Sequence, residues 1–454
     1  MFTGLKIQYQ LTDAFLSNML PKDHELVKLK KILDWKSINR IYKECYPSRR
    51  GPGTKSTDLA LGLILLKQYY NLSWERLVQS VHENIAMMYF CSVSFETVAE
   101  LQHAKKRLIT SSAMVKIMKR LGAARIRKIE RLFFHQIKKA GLIEGKLLIT
   151  DTTSLEKNIA YPTEINLLGR VIEHGERIIQ GVAKKSQMIK SAAIRKAKTI
   201  AKVFYSARRK TTELLRSTGN QLLKLAKEQV KKAKKSYTGS SKAFRRKLKK
   251  VMEKLTTVGE KIITQVEEKM QGGSPKDKIV SYNEPYARAL PKGKVHKTCE
   301  FGSKVRLDMS DNGYITNNKV YKGNPNDSTM LNESIQEHSE NFGDDFSKVT
   351  ADRGFADELG EAKLEKDYGI KVVIPGKKEK PRELTMEEKK IYDRRAAIEA
   401  KISEGKRCAG LGRCRYAGFE GDEICVSLGS LVLNARKLIR EMREHPKIIL
   451  KFEN

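Results

Sequence analysis

A chain of 454 residues, 40% of them hydrophobic, is long enough for roughly two to four domains and too apolar to be disordered. Its 89 Lys+Arg against 53 Asp+Glu leave a formal charge of +36, which predicts a polyanionic partner. Nucleic acid comes first, because a membrane-surface protein usually confines its basic residues to one amphipathic helix. No apolar run approaches the roughly 18 residues of a membrane span, and the N-terminus MFTGLKIQYQLTDAF lacks the pattern of a signal peptide. Six cysteines without a CxxC pair and eight scattered histidines speak against zinc and for reduced, structural thiols in a cytoplasm.

Residues 1 to about 135 read as helical and form the expected N-terminal DNA-binding domain. Apolar residues recur at helical spacing in TDLALGLILLKQYY (57–70) and SWERLVQSVHEN (73–84), with Thr57 and Ser73 placed as N-caps. The basic loop SRRGPGTKS at 48–56 suits DNA docking, with Arg49, Arg50 and Lys55 on phosphates. Both tryptophans, Trp35 and Trp74, fall in this region, where packing is the expected role.

KLLIT at 146–150 is a short β-like run ending at Asp151, and Pro162-Thr163 opens a helix. From Ala183 to Met270 there are 26 Lys+Arg and 6 Asp+Glu, a net of +20, with no proline and with leucines at three- and four-residue steps. This reads as a basic helical insertion over 183–272, a hairpin or small bundle with breaks at 217–220 and 237–241. A phosphate backbone would relieve its self-repulsion through counterion release; a merely solvated face is the alternative. Phe204, Tyr205 and Tyr237 are candidates for stacking on a flipped base.

The period then changes. SKVRLDM (303–309) and YITNNKVY (314–321) alternate about a DNG hairpin turn, Asn324–Asp327 reads as a turn and N-cap, and 327–341 as a helix. His296 and Lys297 sit in a basic loop that could bind phosphate. SKVTADRGF (347–355) is a strand ending in a turn at Asp352, IKVVIP (370–375) another strand, and 428–441 a final helix. Between them, IYDRRAAIEAKISEGKR places Tyr392, Arg395, Glu399 and Lys406 at steps of three, four and seven, one face of one helix. Glu404 faces away from Glu399 and reads as solvent-facing.

Strand-end aspartates point toward a shared sheet edge, and a following helix can bring Glu399 to Asp151 and Asp352. Three carboxylates packed without cations repel, and at least one would take up a proton. Two divalent cations remove that conflict, and hard oxygen ligands select Mg²⁺ or Mn²⁺. Such a pair can activate a water or a 3′-hydroxyl and stabilise the departing oxygen of an in-line phosphodiester attack.

The order Tyr, Arg, Glu, Lys resembles the YREK signature of DDE transposases from bacterial insertion sequences. The likeness extends over DTTSLEKNIAYPTEINLL, FGSKVRLDM, GNPNDS and TADRGF. It implies an α/β, RNase H-like catalytic domain over 140–182 and 275–454, which the order of strands and helices also suggests. It further implies that Asp151, Asp352 and Glu399 are catalytic and hold the metals, and that Tyr392, Arg395 and Lys406 lie near DNA. The expected activity is cleavage at element ends and transfer of the 3′-hydroxyls into target DNA. The expected partners are double-stranded DNA (terminal repeats and target) and a second copy in a homodimer, in a bacterial cytoplasm at the nucleoid. A DNA nuclease that does not join, and a non-catalytic DNA-binding protein on the same scaffold, are the alternatives. The 47 residues from Asp352 to Glu399 leave no room for the tryptophan-bearing β insertion some relatives carry there.

Overall fold

In the computed structural model the described residues are 16, 18–47, 54–143, 145–183, 191–294, 297–343, 346–377 and 379–452. The chain divides into two compact units, one of Met1–Glu156, Lys304–Tyr321 and Pro325–Asn454, the other of Lys157–Ser303 and Lys322–Asn324. The strands are β1 (Leu147–Lys157), β2 (Arg288–Lys294), β3 (Lys297–Ser310), β4 (Ile315–Tyr321), β5 (Lys348–Ala351), β6 (Lys371–Val373) and β7 (Arg413–Cys414).

In the first unit, the described residues between Glu25 and Lys139 are mostly helical and precede β1, the last helical segment, Ser111–Lys139, being kinked at Gly122. Thr57–Tyr69 is apolar nearly all round and correspondingly buried on every side. Its N-cap is Ser56, whose side chain accepts from the Leu59 N–H; Thr57, the expected cap, is buried and donates to Asn39 Oδ1 at 2.5 Å. Ser73 caps the next helix as its sequence suggests. Leu63, Phe90 and Phe133 share one hydrophobic core with Leu147 and Ile149 of β1, Leu307 of β3 and Leu431 of the C-terminal helix Phe419–Glu444. The N-terminal helices therefore pack as part of this unit, and the expected boundary near 135 is not a break in the core. Trp35 and Trp74 pack against that core, Trp35 edge-on to Phe90.

The sheet runs β3-β1-β5-β6, with β4 antiparallel on β3 and β7 on β1. β1, β5 and β6 are parallel, and β3 and β4 form the expected hairpin across Gly313, whose φ of +85° suits glycine. This arrangement, with helices against it, is the RNase H-like mixed α/β fold. The predicted helix from 327 begins as a 3-10 turn, Asp327–Thr329, and continues as Leu331–Phe342.

The second unit is a helical bundle with the β2–β3 hairpin. Glu164–Val182, Ala192–Ser206, Thr212–Thr238, Lys242–Lys254 and Glu260–Met270 surround their own core of Leu168, Ile172, Leu222, Ala226, Leu255 and Ile262. It begins well before 183: Glu164–Val182, capped by Thr163, is one of its members. The expected break at 217–220 is absent: the helix Thr212–Thr238 runs through it, with Thr218 buried and its Oγ1 donating back to Leu214 O at 2.7 Å. Gly219 serves a close helix approach there; a Cβ would stand 2.7 Å from Met270 Sδ. The chain turns instead at 207–211, where Thr211 caps the next helix, and again after Thr238 as expected. Phe204 is buried in this core and is unavailable for stacking, whereas Tyr205 is exposed and shares a hydrogen bond with Thr163.

Candidate active site

β1 and β5 pair in parallel with Thr150 opposite Ala351, so Asp151 and Asp352 stand at the same level of neighbouring strands. Asp352 lies just past β5, but Asp151 is inside the eleven-residue β1 and not at its end as the sequence suggests, because β1 continues to Lys157. Alternation decides the face. Leu147 and Ile149 belong to the main core and Leu148 to a separate cluster with Val349 and Ala351, so Asp151 emerges on the side of the main core. Ile398 packs in that same core and holds the helix Ala396–Cys408 over this edge.

The expected single helix is two, Met386–Asp393 and Ala396–Cys408, joined by a tight turn at Arg394–Arg395. The first is set by a capping box of Thr385 and Glu388. Glu388 is also 2.9 Å from Lys371 of β6 and 2.9 Å from Arg382. The Lys371 contact, the Thr385 N–H and Arg382 hold its carboxyl down at about 2. One buried carboxylate thus ties the sheet edge to the segment that delivers Arg395.

Arg395 occupies the centre of the site. Its Nη1 lies 2.6 Å from Glu399, 3.6 Å from Asp151 and 4.0 Å from Asp352. Its guanidinium stands 5.5 Å from the Tyr392 ring centroid, and its Nε is buried without a hydrogen-bond partner. Burial pushes the Asp151 carboxyl up to about 6, and the Asp352 and Glu399 charges add to this. The Thr152 N–H, donating at 2.7 Å, and Arg395 work against it. Burial disfavours the Arg395 cation, but Asp352, Tyr392, Glu399 and Asp151 outweigh it and hold the group above its ordinary value. Asp352 and Glu399 are half exposed, 49% and 54%, so the cluster is open on one side.

Of the other expected residues, Lys406 is half-buried two turns beyond Glu399, and Lys55 is exposed just before the helix Thr57–Tyr69. Arg49, Arg50 and His296 lie outside the described residues. Glu404 does not face solvent: its side chain is 18% exposed and is paired with Lys401 at 3.2 Å and Arg440 at 3.2 Å.

Asp327, whose local sequence marks it as a turn residue, is a neighbour of the cluster. It accepts from Thr152 Oγ1 at 3.3 Å and Lys304 Nζ at 3.0 Å, and a Cβ on Gly354 would lie 3.1 Å from its Oδ2. It therefore braces the residue after Asp151 and packs closely against the turn after Asp352. Behind β1, Thr150 Oγ1 donates to the fully buried Asp308 at 3.1 Å, which is paired with the fully buried Arg306 at 3.0 Å. Asp327, Arg306 and Asp308 carried no signal as a group, since only the fold brings them to β1.

An RNase H-like sheet with acids at the same level of adjacent parallel strands defines a class of enzymes that act on nucleic acid. Residues 283–435 match the model of the transposase DDE domain, and residues 14–103 that of the transposase domain DUF772. The chain belongs to the DDE transposases of insertion sequences. The DDE match includes Asp352 and Glu399, and Asp151 precedes it. Comparison with curated proteins and with solved structures returned no match.

Enzymes of this family use divalent metal ions. Among the described residues no three His, Cys, Asp or Glu side chains stand close enough to hold a metal as they are; the three acids are spaced around Arg395. The donor set still fits a hard cation. Three carboxylates face one guanidinium, and burial, with the Asp352 and Glu399 charges adding to it, lifts the most buried of them, Asp151. No helix among the described residues is long and apolar enough to cross a membrane.

Proposed function

We propose that this transposase cuts DNA at the ends of its element and joins the 3′-hydroxyls to a target, using Asp151, Asp352 and Glu399 as ligands for two Mg²⁺ or Mn²⁺ ions. The observation that carries the reading is the convergence of three carboxylates from two strands and a helix on one Arg395 nitrogen. Bound there, divalent cations supply the charge that activates a water or a 3′-hydroxyl and stabilises the departing oxygen.

The chain's own residues do the positioning. Asp151, braced through Thr152 and Asp327, is the fixed inner ligand; Asp352 and Glu399 stand at the open side, where a DNA strand can reach. Arg395, at the junction of the two helices, and Lys406, further along the second, would lie near phosphates beside the cut, and Tyr392, on the first, would contact or orient the DNA, as the YREK residues of the family do. Lys55 and its neighbours Arg49 and Arg50 would contact DNA from the N-terminal helices, and a pair of protomers would hold two ends. In the bundle, the exposed Lys231, Lys232 and Lys235 would follow the phosphate backbone.

Strand-transfer assays with end-bearing DNA and Mn²⁺ test this. Wild type is expected to cleave and join, and Asp352→Ala to do neither. Cleavage without joining by wild type favours a nuclease, and equal activity in the variant rejects the assignment of the acids.

A further inference from the structure

We propose that Arg395 is the resident counter-ion of the acidic cluster, that a divalent cation displaces it, and that this displacement frees Arg395 to take a DNA phosphate. The inference rests on the assignment of Asp151, Asp352 and Glu399 as metal ligands.

Space argues for exchange over coexistence. Nη1 is one atom within 4.0 Å of all three carboxylates. A cation bound to oxygens of the same three groups at about 2.0–2.6 Å needs that same space. Two cations in contact there would also repel.

Charge sets the direction. One guanidinium faces three carboxylates, so the cluster stays under-compensated while Arg395 holds it, and a divalent ion supplies more charge at shorter range. The grip is also not the one arginine forms at its best. Its closest approach to each acid is through the same Nη1, while Nε is buried with no partner. A permanent structural arginine usually closes a two-pronged fork on one carboxylate. Of its three contacts only the one with Glu399, at 2.6 Å, is of hydrogen-bond length; those with Asp151 and Asp352, at 3.6 and 4.0 Å, are not.

Arg395 is 19% exposed, whereas Asp352 and Glu399 are half exposed, so an incoming ion meets those two acids before it meets the arginine. Once released, the guanidinium sits beside Tyr392 at the place where DNA must pass, with its charge unmatched. Metal loading and the arming of a phosphate contact then become one event.

The test is Mn²⁺ binding to the full chain by isothermal titration, comparing wild type, Arg395→Gln, Arg395→Lys and Asp352→Asn. Removing the competing cation is expected to tighten Mn²⁺ binding in Arg395→Gln by about tenfold, with Arg395→Lys between it and wild type. A residue that only supported the fold would weaken binding when replaced. Equal or weaker binding in Arg395→Gln overturns the exchange. Asp352→Asn separates the two levels: lost Mn²⁺ binding supports the metal site, and unchanged binding rejects the site itself. Melting in EDTA and in Mn²⁺ keeps the comparison valid if Arg395→Gln is less stable, since the metal-induced rise must then be larger than in wild type. A second readout is the salt slope of DNA binding, which Ca²⁺ is expected to steepen by about 0.9 in wild type and not in Arg395→Gln. An equal change in both overturns the release.

Discussion

Replacing Arg306 by Met removes the charge at the centre of the network behind β1 while keeping an unbranched apolar stem. Arg306 and Asp308 are both fully buried and 3.0 Å apart, so their pairing is little screened. Glu333, at 3.0 Å, and Glu337 also pair with Arg306, but both keep solvent contact and count for less. Breaking a buried pair by removing one partner costs about 3–5 kcal/mol, because the other charge is stranded. Here Asp308 retains Ser334 at 2.7 Å, Thr150 at 3.1 Å and Asn317 at 3.2 Å, which places the expected loss near the lower end, about 3 kcal/mol. The chain's two tryptophans, Trp35 and Trp74, both pack on the core that contains Leu307, so their fluorescence during urea unfolding reads this unit alone. Adding Asp308→Asn to Arg306→Met should recover part of the loss, since no buried charge is then left unpaired. A loss under about 1 kcal/mol for Arg306→Met, or a double variant costing the sum of the singles, would refute the reasoning.

Gly354→Ala puts a methyl 3.1 Å from Asp327 Oδ2, so the turn after Asp352 must shift by a few tenths of an ångström; DNA cleavage should fall at least tenfold while the tryptophan-monitored unfolding moves by less than about 1 kcal/mol. His174 stacks on Tyr282 at 4.1 Å, and burial, with Arg177, Lys254 and Arg170, lowers its imidazole to about 4. The unfolded chain takes up this proton near pH 6.5 and the folded bundle only near 4. Stability of the second unit is therefore complete above pH 6.5 and is lost as pH falls from there toward 4, by roughly 2 kcal/mol after allowance for solvent contact. Circular dichroism melts across that window should show the decline in wild type and a flatter profile in His174→Phe. Changing Lys231, Lys232 and Lys235 together to Gln should reduce the salt slope of DNA binding by up to about 2.7, three phosphates at about 0.9 each; an unchanged slope means these lysines face only solvent.

The apolar runs leading into Asp151 and Asp352 were legible as strands, and parallel pairing with Thr150 opposite Ala351 brings the two acids to one level. That β1 runs on past Asp151 to Lys157 left no mark, because the polar residues after it do not alternate plainly. The cap at Ser73, the start of a helix at Pro162-Thr163 and the Gly313 hairpin were legible from local residue types. What misled was local chemistry overruled by packing. The STGN stretch at 217–220 has the composition of a loop, yet Gly219 is there for Met270. Glu404 lies off the Glu399 face, as helical geometry requires, but the far face meets Arg440 and not water. The two helical segments on either side of Arg395 share one amphipathic pattern, and the turn between them leaves no mark in the spacing. Asp327, Arg306 and Asp308 act through partners brought to them by the fold, which no local pattern records.

The central claim is that Asp151, Asp352 and Glu399 together hold the catalytic cations. The most direct measurement is anomalous diffraction from crystals of the protein grown with Mn²⁺. The account predicts Mn²⁺ density bounded by these three carboxylates, with Arg395 withdrawn from all of them. Mn²⁺ bound elsewhere, with Arg395 still seated among the three acids, would contradict it.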